Sequence, residues 1–170
     1  MRKVPNMGYT HYWTFKPIKR GETAKINKAY KLAVRKCQEL LVYWNEMHAH
    51  EPDLRLAGYA AHTKPGLYGG LDFNGARENA LENFLVREHY KQNLERDYFG
   101  FCKTNRKPYD TVVVACLVIL KHYLGDQIAV ASDGSLAEWA PGTGLAKAFL
   151  NNPNIKNPLK ARDGRDMESL

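Results

Sequence analysis

Nine consecutive apolar residues, VVVACLVIL at positions 112–120, constrain this chain more than any other feature of it. A run that is apolar on every side has to be enclosed on every side, because burial stabilises it by roughly 25 cal/mol for each Å² removed from water. It is too short to cross a bilayer, which takes about 20 such residues in a helix. The rest of the 170 residues must therefore fold around it, and a chain of that length suffices for one domain with a core of this kind. Periodicity alone does not separate helix from strand in so uniform a run, so its flanks decide. Pro108 suits a first helical turn, where its missing N–H costs nothing. Asp110 complements the positive end of the helix dipole, and Lys121 and His122 the negative end. Gly125 sits where such a helix would stop. The flanks predict a buried helix over 108–124.

Two other segments read with the same clarity. Residues 9–18 (YTHYWTFKPI) are aromatic and β-branched and predict a first strand. Ile26, Ala29, Tyr30, Ala33, Val34, Cys37, Leu40, Leu41 and Trp44 recur at steps of three and four, which predicts an amphipathic helix over about 23–47. Residues 54–75 (LRLAGYAAHTKPGLYGGLDFNG) are broken by glycine and proline and suggest short strands and turns, with Asn74-Gly75 a turn signal. Further strands are expected at 82–88 (ENFLVRE), 98–103 (YFGFCK) and 128–131, the last ending in the turn Ser132-Asp133-Gly134. A small last helix is expected over 144–150. From Asn151 the chain is polar and reads as a loose tail. The expected architecture is α+β: a two-layer sandwich in one domain, 1–150, with two main helices packed on a mostly antiparallel sheet, followed by the tail 151–170.

The net charge is +7, a surplus that attracts anions such as nucleotides or nucleic acid without choosing among them. The stretch FGFCKTNRKPYD at 99–110 concentrates that charge just before the predicted buried helix. Free N–H groups and the positive dipole end point at such a loop, which makes it a candidate phosphate site. Lys103, Arg106 and Lys107 would supply charge, Thr104 and Asn105 hydrogen bonds, with His11, Asp110 and Asp133 as further contacts. The loop matches neither the P-loop nor the dinucleotide-binding glycine pattern. It also misses a phosphatase-like arrangement, since Arg106 lies four residues after Cys102 rather than five.

Three cysteines without a C-x-x-C pair suggest neither a disulfide framework nor a thiolate zinc site. His48 and His50 in MHAHE do not share a helix face, so no metal site is expected, nor any cofactor. A catalytic role would fall to His11 and His62 as acid and base, although neither stands in the paired H-x-[ST] pattern of two-histidine phosphoesterases. The N-terminal residues have no apolar core of signal-peptide length, and a soluble, non-membrane protein is expected.

The motifs THYW (10–13), FNG (73–75), ENF (82–84), FCKT-x-x-KPYD (101–110) and SDG (132–134), in that order, resemble a family of small proteins carried mainly by bacteriophages and prophages. The resemblance implies a setting, a phage accessory protein in the cytoplasm of the bacterial host, rather than a chemistry. The recurring polar residues (His11, Asn74, Glu82, Cys102, Lys103, Thr104, Lys107, Asp110, Ser132, Asp133) would suit one pocket at a sheet end. Three functions stay open. The first is a binder that sequesters an anionic, nucleotide-type ligand of host defence without catalysis, with a homo-oligomer placing the pocket between subunits. The second is a phosphodiesterase or nuclease. The third is a nucleic-acid or host-protein binder that uses the basic face of the long helix (Lys25, Lys28, Lys31, Arg35, Lys36).

Overall fold

A computed structural model describes residues 8–58, 69–90 and 97–159 of the chain. Strand β1 (Thr10–Phe15) alternates as a half-wet antiparallel strand should. His11, Trp13 and Phe15 are buried, while Thr10, Tyr12 and Thr14 are only partly covered. Helix α1 (Thr23–Met47) follows, its buried stripe running from Ile26 to Leu41 at the expected spacing. Then come β2 (Leu56–Ala57), β3 (Leu71–Gly75), β4 (Phe84–Val86) and β5 (Tyr98–Lys103). Helix α2 (Asp110–Leu124), β6 (Ile128–Ser132) and α3 (Leu136–Phe149) complete the described elements.

The fold is α+β, and every strand pairing described is antiparallel. The strands form two small sheets, β5-β1-β6 and β2-β3-β4, instead of one. In the first sheet β1 is central, with Thr10 opposite Lys103 on β5 and His11 opposite Ser132 on β6. Because β5 and β6 both oppose β1, they run parallel to each other, and α2 connects them across it. This is a split β-α-β unit.

Helix α2 lies at the centre, as its composition demands: residues 112–120 are all buried, packed between α1, α3 and the first sheet. Two glycines let backbones close in on this core. A Cβ on Gly142 of α3 would stand 2.4 Å from Val114 Cγ1 of α2, so the helices cross where a side chain is missing. A Cβ on Gly100 of β5 would stand 2.5 Å from the indole of Trp13, which lies across that glycine from the neighbouring strand.

Two expectations are corrected. The last helix starts at Leu136 rather than 144, opened by a capping box: the Glu138 amide donates to Ser135 Oγ at 3.2 Å, and the Ser135 amide to Glu138 Oε2 at 3.0 Å. Residues 151–159 do not form a loose tail. Ile155 is buried in the core, Leu159 packs against it, and the Asn157 amide donates to the Leu136 carbonyl. The remainder of the expected tail lies outside the described residues.

Candidate functional site

Three motifs that are distant in sequence meet at one corner of the first sheet. His11 projects from β1 into the protein and has no exposed surface. Its Nε2 is 2.5 Å from Asp110 Oδ1, at the first residue of α2, and its Nδ1 is 2.7 Å from Ser132 Oγ, directly across the strand pair. A neutral ring satisfies both contacts with hydrogen on Nε2, toward Asp110, and Nδ1 accepting from Ser132. Thr104, also fully buried, donates its hydroxyl to the same Asp110 oxygen at 2.5 Å. Ser132 Oγ receives the Trp139 indole N–H at 3.0 Å and the Gly134 amide at 2.8 Å. Ser132, His11 and Asp110 thus form a serine–histidine–aspartate chain, but one whose histidine and serine are buried and whose hydroxyl is tied to internal donors. A nucleophile needs a substrate-facing hydroxyl, and this one faces Trp139, Gly134 and His11.

The loop after β5 closes over this chain. Asn105 and Arg106 have φ of 48° and 58°, and the Lys107 amide donates to the Thr104 carbonyl at 3.0 Å, so the loop is a tight turn with both central residues left-handed. Asn105 locks it by accepting the Tyr9 amide on Oδ1 at 3.1 Å and donating its own amide to the Tyr9 carbonyl at 3.2 Å. The Arg106 guanidinium lies 4.1 Å from the centroid of the Tyr9 ring, and its Nε donates to Glu138 Oε1 at 2.8 Å. Lys107 Nζ donates to the Glu78 carbonyl at 2.9 Å. Burial, then the nearby charge of Asp110, pushes the Tyr9 hydroxyl well above its ordinary range.

Of the residues expected to grip phosphate, Thr104, Asn105, Arg106 and Lys107 all reach this corner, and all are engaged by the protein itself. The anion at the N-terminal end of α2 is the protein's own Asp110 carboxylate. Lys103 differs: its amide donates to Glu82 Oε2 at 2.7 Å, but its ammonium has no hydrogen-bond or ion-pair partner among the described residues. Asp133 accepts the Thr10 amide at 3.0 Å and lies within 3.5 Å of the Tyr12 hydroxyl. Asn74 lies in the second sheet and bridges Leu81 and Asn83, organising the loop before β4. His62 lies outside the described residues.

Cys102 is buried behind the turn, and burial raises its thiol to about 12, so it is held as a neutral group beside the Glu82 carbonyl. His48 pairs with Glu51 at 2.9 Å. Among the described residues no cluster of three His, Cys, Asp or Glu could hold a metal ion, and no helix is long and apolar enough to cross a membrane.

Phe99 and Phe101, on the opposite face of the same sheet, are not among the residues the sequence marks as a site. Alternation on β5 sends Gly100 and Cys102 inward and leaves Phe99 and Phe101 outside, 56 % and 57 % exposed. Phe101 pairs with Tyr12 and Phe99 with Thr14 on β1, so all four share the outer face. Tyr12 and Phe99 are stacked with centroids 6.1 Å apart, and Phe99 and Phe101 are also 6.1 Å apart. Exposed Ala129 and Ala131 on β6 keep the face low beside the rings. Lys103 stands on this face opposite Thr10. The signal was present in YFGFCK as an aromatic–glycine–aromatic alternation. What the sequence could not say is which half of that alternation faces water.

No protein-family model matches the chain, and no curated protein or solved structure is significantly similar to it.

Proposed function

We propose that this protein binds a nucleotide-type anion, taking the base on the open face of the β5-β1-β6 sheet and the phosphate at Lys103, and releases it chemically unchanged. The observation that carries this reading is the display of Tyr12, Phe99 and Phe101 on one solvent-facing sheet surface. The outer positions of a one-sided antiparallel sheet are normally polar, so three aromatic rings there need a use beyond folding. A base stacked on an aromatic ring gains about 1–3 kcal/mol. The net charge of +7 draws the anion in, and the Lys103 ammonium, unpaired among the described residues, receives it beside the rings. In the phage setting that the motifs imply, such a binder withdraws a nucleotide from its receptor by holding it.

An enzymatic reading has less to stand on. His11 has no exposed surface with which to reach a substrate, and Cys102 is buried and protonated. The test is equilibrium dialysis against AMP, cyclic AMP and a dinucleotide, followed by heat denaturation and chromatography of the released material. The bound species should return intact, and Phe99→Ala with Phe101→Ala should weaken binding at least tenfold. Equal binding by wild type and variant would remove the stacking reading, and recovery of an altered nucleotide would replace binding with catalysis.

A further inference from the structure

We infer that the open sheet face takes a single-stranded run of about three or four nucleotides rather than a lone nucleotide, an inference that rests on the base-stacking reading above. The first argument is spacing. Phe101 and Phe99 step along β5 with centroids 6.1 Å apart, and Tyr12, opposite Phe101 on β1, lies 6.1 Å from Phe99. Stacked bases in a nucleic-acid helix repeat at about 3.4 Å. Bases placed on adjacent rings are therefore drawn apart from one another, a geometry open to a flexible single strand and closed to a duplex.

The second argument is reach. Lys103 stands opposite Thr10 at one end of the face, and the alternation of β1 continues past Thr14 to the exposed Lys16 at the other. Six residues of strand separate these two positions, roughly 20 Å. A mononucleotide seated on one ring touches at most one of these cations. A strand that advances by one ring spacing per base covers the distance in about three steps, with a phosphate available at each end.

The third is charge placement. Among the described residues three carboxylates border the face, one of them Glu82, whose Oε2 accepts the Lys103 amide at the β5 edge. Asp133 is held on the β6 side by the Thr10 amide and approached by the Tyr12 hydroxyl, and continuing the register sets exposed Asp97 opposite Lys16. Asp133 disfavours phosphate on the β6 side, so the bases lie over the rings and phosphate meets the Lys103 and Lys16 ammoniums, each beside one carboxylate, Glu82 or Asp97. Ala129 and Ala131 present no side chain tall enough to obstruct a flat ligand.

The experiment is fluorescence anisotropy with labelled oligothymidylates of one, two, four and eight nucleotides and a labelled 16-base-pair duplex. It is run on wild type and on the Phe99→Ser, Phe101→Ser double variant. Those side chains are exposed, and circular dichroism checks that the variant keeps the wild-type fold. Affinity should rise at least tenfold from one to four nucleotides and little beyond. The duplex should bind at least tenfold more weakly than the four-nucleotide strand, and the variant should lose the length dependence. Mononucleotide binding without gain in length would overturn this inference and leave the stacking reading standing. Absence of binding by every probe would sink both, and a wild-type dimer that the variant dissolves would then assign the face to a second copy of this chain. Duplex binding as tight as single-strand binding, unchanged in the variant, would move nucleic acid to another basic surface and overturn the inference.

Discussion

Asn105 and Arg106 show how single residues at the corner hold the fold rather than a ligand. Both are left-handed at φ of 48° and 58°, which side chains other than glycine and asparagine adopt at a cost. Asn105 suits the conformation and also accepts the Tyr9 amide. Asn105→Gly keeps the backbone and loses the bond, whereas Asn105→Ala loses both, so the alanine variant should be less stable than the glycine variant by about 1 kcal/mol. Urea denaturation of the pair measures this, and equal midpoints would contradict it. His11 is the residue on which most depends. His11→Ala leaves buried Ser132 and the half-buried Asp110 without this partner, and losing hydrogen bonds of this kind should cost about 2–3 kcal/mol of stability. If His11→Ala instead unfolds at the wild-type midpoint, the chain is not structural. His11, Asp110 and Ser132 were all recognisable in sequence as polar residues near element ends. That they bond to one another was not, because the nearest two of the three in sequence, Asp110 and Ser132, are 22 positions apart and only the sheet register joins them.

Among the elements, α2 was legible because its flanks carried chemistry that only a helix uses: Pro108 before it, Asp110 at its start, Gly125 at its end. Helix α3 starts eight residues before the expected position, because Pro141, Gly142 and Gly144 look like helix breakers. Its true start carried a capping-box signal, Ser135-x-x-Glu138, and that signal outweighs a glycine whose absent side chain is needed elsewhere. Gly142 is where α3 meets Val114. Gly142→Ala should therefore destabilise the protein by about 1–3 kcal/mol despite alanine's better helix propensity, and Val114→Ala in the same chain should recover part of the loss. A Gly142→Ala variant at least as stable as wild type would mean that the helices cross elsewhere. Gly100 does the same service on β5, where it admits the Trp13 indole and leaves Phe99 and Phe101 with no inward alternative.

For the molecule as a whole, the buried thiols and phenols predict a weakness at high pH. Burial raises Cys102 from its ordinary 9 to about 12, and it also raises Cys37, Tyr9, Tyr30 and Tyr109 above their usual ranges. Above pH 9 the unfolded chain releases these protons while the native state keeps them. The native state then binds more protons, so its stability falls as pH rises. The thermal midpoint should decline from about pH 9 upward, and Cys102→Ala should flatten the part of that decline between pH 9 and 12. A midpoint that holds constant from pH 9 to 11 would contradict it. The sequence by itself determined the α+β class, the long amphipathic helix, the buried helix and the strand at 98–103, because hydrophobic period and end-capping residues act over a few neighbours. It also determined the excess of positive charge. The tertiary structure alone decided the uses of the polar residues. Pairing β1 with β5 and β6 turned Asp110 inward onto His11 and left the loop's arginine on Tyr9. The same pairing put Phe99, Phe101 and Tyr12 together in water. Those outcomes depend on register and on which sheet face the helices cover, and both are set by contacts between residues about 80 to 120 positions apart.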